Sequence, residues 1–274
     1  MTNEELQNLA TEVRKGVLVG THAGKSGHPG GSLSAADILT YLYYEELNVR
    51  PDEPDWADRD RFVLSKGHAA PALYAVLAQK GYFPVSDLLQ LRHIGAHLQG
   101  HPNMVDTPGI DMSTGSLGQG VSTAVGMAIS AKTFGNDFRV YALLGDGEIE
   151  EGQVWEAAML AGNHKLDNLV LIVDHNNLQI DGTIGEVNSA MPIADKFRAF
   201  KFEVIELADG HDFDQIRAAF AAARAVKGAP VCIVAETIKG KGVSFMENEV
   251  SWHGVAPNDE QLARGLAELE GSAE

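Results

Sequence analysis

Leu-Gly-Asp-Gly-Glu-Ile-Glu-Glu-Gly (144–152) closes an apolar run, Val140–Leu144, with two glycines around Asp146. A second run, Leu169–Val173, is aliphatic and β-branched and is soon followed by Asn-Asn at 176–177. Short apolar runs of this kind predict buried strands, and the amphipathic segment between them predicts a helix. The spacing of about thirty residues is typical of a βαβ unit, which predicts an α/β fold with a parallel sheet.

The two polar clusters are expected to meet, because the strand ends of a βαβ unit lie on the same edge of the sheet, where open α/β folds bind ligands. Oxygens of Asp146 and Asn176, with a backbone carbonyl, suit a Mg²⁺ ion that also holds substrate phosphates. The neighbouring glycines let the backbone approach an anion. Two ordinary strand-end turns are the alternative interpretation, because Gly-Asp-Gly and Asn-Asn are good turn formers.

Gly-Asp-Gly at 145–147 and Asn-Asn at 176–177 together resemble the thiamine diphosphate motif. The surrounding sequence is similar to the first domain of a transketolase, from Lys-Ser-Gly-His-Pro-Gly (25–30) to Trp-His-Gly (252–254). The resemblance implies a three-layer α/β/α fold with a mostly parallel central sheet, the thiamine diphosphate-binding fold, formed by residues 1–274 as a single domain. It implies thiamine diphosphate as cofactor, with Mg²⁺, or Ca²⁺ or Mn²⁺ in its place.

Composition independently favours one large α/β domain, because 274 residues that are 45% hydrophobic can bury a sizeable core. A formal charge of −17 argues against nucleic acid or anionic membranes as partners. The acidic N-terminus does not resemble a secretory signal, and no apolar stretch is long enough to span a membrane. We therefore predict a soluble, cytoplasmic protein. Cys232 stands alone in an apolar run and is predicted to be a buried strand residue.

Four histidines stand at strand ends or in glycine-rich loops, each in a local motif that resembles one of the transketolases: His28, His68, His101 and His253. The resemblance implies that His28 lies near the donor carbonyl and that His101 contacts the donor's terminal hydroxyl. It places His253 near the reacting hydroxyl and the diphosphate, and His68 on the diphosphate. We predict His28, His101 and His253 as catalytic residues, since imidazole moves protons readily near neutral pH.

The resemblance also assigns backbone positions. Gly115 and Leu117 match positions whose backbones approach the cofactor rings, although Ser116 stands where the family more often has proline. Leu178 would offer its carbonyl oxygen to the metal. The predicted metal ligands are Asp146, Asn176 and Leu178. The predicted cofactor-binding residues are His68, Gly115, Leu117, Asp146, Gly147, Glu148, Asn176 and His253.

The remaining elements follow from periodicity and capping. A first amphipathic helix is predicted to end near Gly20, and a second to run over 33–47 with Ser32 or Ser34 as its cap. Phe202–Leu207 and Val231–Ala235 are predicted as strands, and a helix pattern around Leu88 precedes His101. An acidic helix is predicted for Asp259–Glu274.

Several segments allow more than one interpretation. Lys239 and Lys241 follow a predicted strand and could neutralise a diphosphate, or could lie in a solvated loop. The small, apolar helix 153–162 could pack on another chain or in the core. His93 and His97 match no family motif and are predicted as surface or interface residues. Gly20–Ser26 nearly spells a phosphate-binding P-loop, but its glycines are one residue too close and a helix precedes it.

The implied activity is transfer of a two-carbon ketol unit from a ketose to an aldose, with sugar phosphates as substrates, as in the pentose phosphate pathway. A one-chain transketolase is more than twice as long, and its activating glutamate belongs to a pyrimidine-binding domain that this sequence does not contain. We therefore predict the N-terminal subunit of a split transketolase, which works only with a separate C-terminal subunit, in a two-plus-two heterotetramer.

Three other interpretations remain open from the sequence alone. The chain could belong to another thiamine diphosphate enzyme, similar to 1-deoxyxylulose-5-phosphate synthase or to a dehydrogenase E1 subunit. It could instead be a non-catalytic subunit that only holds the cofactor. An orphaned, truncated gene product is the third.

Overall fold

Five strands form a single parallel sheet in a computed structural model that describes residues 1–271. The strands are β1 (Arg61–Leu64), β2 (Val140–Gly145), β3 (Leu169–His175), β4 (Glu203–Leu207) and β5 (Val231–Glu236). Their order is β1-β2-β3-β5-β4, and every pairing among these strands is parallel. The predicted βαβ unit is therefore β2 and β3, which are neighbours, and the carboxyl ends of all five strands share one edge.

Nine α-helices surround this sheet within residues 1–271. They are α1 (Asn3–Ala23), α2 (Pro29–Tyr41), α3 (Ala70–Lys80), α4 (Gln119–Phe134), α5 (Gly152–Asn163), α6 (Ile184–Val187), α7 (Ile193–Ala199), α8 (Phe213–Ala225) and α9 (Asp259–Leu269). Residues Leu42–Glu46 extend α2 by one wider π turn.

The sheet has a hydrophobic core on each face, because alternate residues of a strand point to opposite sides. One core joins Tyr141, Leu143 and their neighbours to α1, α2, α3 and α8. The other joins Ala142, Leu144 and Cys232 to α4, α5 and α7. This is the predicted three-layer α/β/α architecture. Cys232 is fully buried in β5, as predicted, and burial raises the pKa of its thiol.

The start of α2 differs from the prediction. The helix begins at Pro29 rather than near residue 33, because proline has the φ angle of a first helical turn and needs no amide partner there. The predicted caps are wrong. Ser32 lies inside the helix and donates to the His28 carbonyl, while Ser34 donates across the sheet edge to Asp174.

Other boundaries moved by a few residues. Helix α1 continues to Ala23, three residues past Gly20. The segment around Leu88 is only a 3₁₀ turn, Val85–Gln90. The last helix ends at Leu269, and residues 272–274 of its predicted range lie outside the described residues. No helix within 1–271 is long and apolar enough to cross a membrane.

Strand β4 forms one end of the sheet and pairs only with β5. Glu203 and Glu206 on this strand are exposed, and only Leu207 is buried. The other end strand, β1, is short and buried over three of its four residues.

Candidate active site

A cleft opens at the carboxyl ends of β1, β2, β3 and β5. It encloses about 510 Å³, including its open mouth. Six predicted site residues on or near the loops after β2 and β3 line its walls: Leu117, Asp146, Gly147, Glu148, Asn176 and Leu178. His68 and His253 also line it. Folding therefore gathers residues that are far apart in the sequence.

The Asp146 carboxylate is held at the bottom of this cleft by two backbone amides. Oδ1 accepts from the Gly147 amide at 2.9 Å, and Oδ2 accepts from the Asn177 amide at 2.5 Å. Burial, together with the negative charge of Asp174, raises the pKa of Asp146 to about 6. A cation bound here would offset that cost, since it favours the charged carboxylate.

Two further oxygen donors lie on the same wall. The Asn176 side-chain oxygen accepts from the Leu178 amide at 3.1 Å, and the Leu178 carbonyl accepts from Lys239 at 3.1 Å. Each oxygen has a second lone pair, so one carboxylate, one amide and one carbonyl suit a hard divalent cation. No group of three His, Cys, Asp or Glu side chains within residues 1–271 is arranged to hold a metal.

Two buried lysines give the cleft a positive floor. Lys66 follows β1 and pairs with Asp174, while Lys239 follows β5; both are 1% exposed. Lys239 contacts the Leu178 carbonyl and lies 2.9 Å from His253 Nδ1. Burial and the charge of Lys66 lower the pKa of Lys239 to about 8. Within the described residues, Lys239 forms no ion pair, which favours an anionic ligand here.

Asp174 is the charged centre beneath this floor. Its carboxylate is fully buried and accepts hydrogen bonds from Lys66, Ser34 and Thr237. Burial alone would raise its pKa, but the charge of Lys66 and these hydrogen bonds lower it. Asp174 therefore remains ionised and ties α2 and the loops after β1 and β5 to β3.

Glu148 braces the cleft through backbone contacts. Its Oε1 accepts from the Ser65 hydroxyl and from the Gly118 amide at 3.0 Å, and its Oε2 accepts from the Gly145 amide at 3.0 Å. Burial raises the pKa of this carboxyl despite those donors. Three internal partners occupy the two oxygens, so the geometry favours a role in fixing the loop after β2 around Asp146.

The four predicted histidines form one cluster. Ring centroids of His28 lie 5.3 Å from His68, 6.3 Å from His101 and 5.5 Å from His253. His68 stacks on His253 at 5.2 Å. The Tyr74 hydroxyl, 2.9 Å from the His101 carbonyl, holds the loop that carries His101.

All four imidazoles are neutral at pH 7. Burial, with nearby positive charges, lowers the pKa of His28 to about 4 and that of His253 to about 3. Burial also lowers the pKa of His68, far more than that of His101. His28 Nδ1 is buried without a hydrogen-bond partner in residues 1–271. A neutral imidazole with a free nitrogen can accept or donate a substrate proton.

Close backbone contacts shape the cleft. Gly115 has φ of +144°, and a Cβ there would meet the His101 ring at 2.9 Å. A Cβ on Gly31 would come within 3.3 Å of His68 Nε2. Gly115 therefore lies beside His101 rather than on the cleft wall that carries Leu117.

The residues that sequence reasoning missed are buried charges. The sequence patterns predict no role for Lys66 or Asp174, and the solvated-loop interpretation of Lys239 is wrong because this side chain is buried. A lysine after β1 and an aspartate ending the run of β3 were the available signals. His93 and His97 lie away from the cluster; His97 Nε2 is 3.1 Å from Asp87, and His93 Nε2 is 3.3 Å from the Ala23 carbonyl.

Known proteins are similar to this chain in sequence and in fold. The family model described as transketolase, thiamine diphosphate binding domain, matches residues 7–269. The 6-deoxy-6-sulfo-D-fructose transketolase subunit of Clostridium sp. (strain MSTE9) is 46% identical over 266 residues, covering 97% of this chain and 96% of that protein. An apulose-4-phosphate transketolase subunit of Phocaeicola vulgatus is 41% identical, covering 98% of this chain and 95% of that protein.

A solved structure extends the similarity to full-length enzymes. Transketolase from Campylobacter jejuni superposes with a TM-score of 0.93 at 36% identity, covering 98% of this chain and 43% of that one. The donor set fits the cofactor that the family model names, because oxygen ligands for a divalent cation lie beside buried cations suited to a diphosphate. From sequence, fold and site together, this chain belongs to the transketolase family and carries its thiamine diphosphate-binding domain.

Proposed function

We propose that this chain is the N-terminal subunit of a two-chain transketolase that transfers a two-carbon ketol unit from a ketose to an aldose. The observation that carries the proposal is one cleft lined by Asp146, Asn176, two buried lysines and the histidines His68 and His253, which pack against His28 in the cluster of four neutral histidines. Relatives of nearly the same length are named as transketolase subunits, which supports a separate companion chain.

The metal and diphosphate would be held at the strand ends. We assign Mg²⁺, or Ca²⁺ or Mn²⁺ in its place, to oxygens of Asp146, Asn176 and Leu178. Lys239 and His68 would contact the diphosphate, with Gly147 and Glu148 shaping the loop around it. The other proposed cofactor contacts are Gly115, Leu117 and His253. Thiamine diphosphate, when bound, supplies a nucleophilic carbon and an electron sink for breaking and forming the carbon–carbon bond.

The histidines would handle protons on the sugar. Because His28 is neutral, it can hydrogen-bond a sugar oxygen without leaving a charge in the cleft. His253 Nδ1 accepts from Lys239, so its other nitrogen carries the proton and can donate to a hydroxyl. His101, at the other side of His28, would fix the end of the donor. These roles divide binding and proton transfer among three loops.

The donor sugar is part of the proposal. A ketose phosphate is the expected donor, as in the pentose phosphate pathway, and the substrates named for two relatives add a sulfonated ketose and apulose 4-phosphate to the candidates. We further propose that residues 1–274 form one domain, that two copies assemble with two companion chains, and that the enzyme works in the cytoplasm.

Reconstitution tests the proposal. The chain is purified with its companion, identified by co-purification and mass spectrometry, and assayed with thiamine diphosphate and Mg²⁺ against ketose phosphates, 6-deoxy-6-sulfo-D-fructose and pyruvate. Turnover is expected only with both chains and a ketose donor. Asp146→Ala is expected to reduce it at least about a hundredfold, because a metal ligand is lost.

Asp167→Asn is the matched control, since this carboxylate pairs with Lys132 far from the cleft and its loss should leave turnover unchanged. Turnover by the chain alone would contradict the two-chain proposal. Pyruvate as the preferred donor would indicate a different thiamine diphosphate enzyme. Turnover that survives Asp146→Ala would indicate a non-catalytic binding subunit.

A further inference from the structure

An arginine, an aspartate and a histidine form a buried hydrogen-bonded network outside the cleft. Arg14 Nη1 on α1 donates to Asp37 Oδ1 on α2 at 3.0 Å, and a second guanidinium nitrogen contacts Oδ2. His211 Nδ1, just before α8, lies 2.7 Å from the same Oδ2. Burial would raise the pKa of Asp37, but Arg14 and His211 lower it, so the carboxylate stays charged.

This network of Arg14, Asp37 and His211 holds the loop after β5. The Ile238 amide donates to His211 Nε2 at 2.9 Å, and Arg14 Nε donates to the Lys241 carbonyl at 3.0 Å. His211 therefore carries its proton on Nδ1 and accepts on Nε2. These hydrogen bonds hold Ile238, immediately before Lys239, and Lys241, two residues after it.

The loop is fixed on its other side as well. The Gly240 amide donates to the Gly30 carbonyl at 3.0 Å, and Gly240 has φ of +80°. The backbone around Lys239 is thus held at Ile238, Gly240 and Lys241, and the Lys239 ammonium contacts the Leu178 carbonyl and His253. Ordering a flexible lysine on binding costs conformational entropy. Because the backbone and the ammonium of Lys239 are already held, contact with a ligand costs less entropy.

We propose that His211 is a positioning residue for the cofactor site, which sets the affinity for thiamine diphosphate by anchoring the Ile238 amide and so aiming Lys239 at the diphosphate. The inference rests on the proposed contact between Lys239 and the diphosphate. Arg14 and Asp37 act behind His211, by fixing its ring and its tautomer. None of the three side chains touches the cleft itself.

Two substitutions separate the bonds of His211. His211→Asn retains an amide donor at the position of Nδ1, toward Asp37, but has no acceptor that reaches Ile238. His211→Gln places an amide oxygen near the position of Nε2 and retains that acceptor. Removing one buried hydrogen bond is expected to raise amide exchange in the peptide containing Ile238 about tenfold in His211→Asn, with a smaller change in His211→Gln.

The affinity measurement uses the complex of both chains with Mg²⁺, titrated with thiamine diphosphate and followed by calorimetry. His211→Asn should bind about threefold to tenfold more weakly, whereas His211→Gln should stay within about twofold of wild type. Arg14→Lys keeps a positive charge beside Asp37 but loses the hydrogen bond to the Lys241 carbonyl, so it should weaken binding similarly. It replaces His211→Asn in the measurement if that variant fails to fold.

Ile216→Val on α8 is the matched control, because it loosens a fully buried position without touching the loop. It should lower the melting temperature and leave both exchange and affinity unchanged. Faster exchange with unchanged affinity would overturn the proposal, and so would unchanged exchange. Exchange is read without cofactor and affinity without turnover, so absence of ketol transfer in the wild-type complex would contradict the proposed function and leave both measurements decisive for His211.

Discussion

Neutrality is the property that the site's histidines share. Burial makes protonation of His28 and His253 costly, and the nearby lysine adds to that cost. In water these rings would titrate near pH 6.5. The folded chain thus keeps four proton-accepting rings within one cluster while Lys66 and Lys239 retain the positive charge.

The lowered histidine pKa values predict how acid affects stability. The folded pKa of His28 is about 4 and its unfolded pKa is 6.5. Between these values the unfolded state binds more protons, so stability falls as the pH falls from 6.5 to about 4. His28→Gln should flatten this dependence by up to about one proton, measured by urea unfolding of the cofactor-free chain across that window.

The histidines 68 and 253 should leave a residual slope in this variant. His22→Gln on the surface of α1 is the control, since its partner Asp259 is fully exposed. An unchanged slope in His28→Gln would show that His28 is not neutral in the folded chain.

Packing between elements depends on glycines that the sequence does not distinguish. A Cβ on Gly162 in α5 would lie 1.8 Å from the Phe200 carbonyl oxygen, which belongs to the backbone after α7. A Cβ on Gly126, in the exposed face of α4, would meet nothing within 4 Å. The same substitution should therefore have opposite effects in these two helices.

Gly162→Ala is expected to destabilise the chain by about 3 kcal/mol, because α5 must move away from α7. Gly126→Ala is expected to stabilise it by about 0.5–1 kcal/mol, since alanine has the higher helix propensity. Chemical denaturation gives both values. Equal effects of the two substitutions would mean that α5 does not pack against residue 200 as described.

The buried pair of Lys66 and Asp174 joins four elements, and its loss should cost more than any single hydrogen bond. Asp174→Asn leaves the lysine ammonium buried without a carboxylate and should destabilise by about 3–5 kcal/mol. Ser34→Ala, which removes only one donor to Asp174, should cost about 1 kcal/mol. Urea unfolding compares them, and equal losses would argue that Lys66 finds another partner.

At the scale of the molecule, the net charge affects stability. The chain carries a net charge of −17, so its like-charged groups repel one another at low salt. Raising the salt concentration from 10 to 150 mM shortens the Debye length from about 30 to 8 Å and should raise the melting temperature. At pH 5, close to the pI of 4.9, the same change should have little effect. A salt effect of equal size at both pH values would contradict this explanation.

The sequence predicts most of the architecture, because strand runs and the polar clusters after them are local signals. The sequence predicts Asp146 and Asn176 at neighbouring strand ends, and the structure confirms that both line one cleft. Partners across the sheet are not local signals. Neither the pairing of Lys66 with Asp174 nor the contact of Ser34 with that carboxylate follows from spacing, since each joins residues more than a hundred positions apart.

The end strand β4 has a consequence for the chain before it meets a companion. The unpaired backbone groups of an edge strand can pair with a strand of a second copy, which is the first step in the formation of many aggregates. A second copy added in register would bring its Glu203 carboxylate against that of Glu203, which forms no ion pair within residues 1–271, whereas Glu206 is paired with Arg198. Repulsion between the two Glu203 carboxylates would oppose growth of a shared sheet. We expect unassembled copies to stay dispersed at concentrations where a bare apolar edge would precipitate.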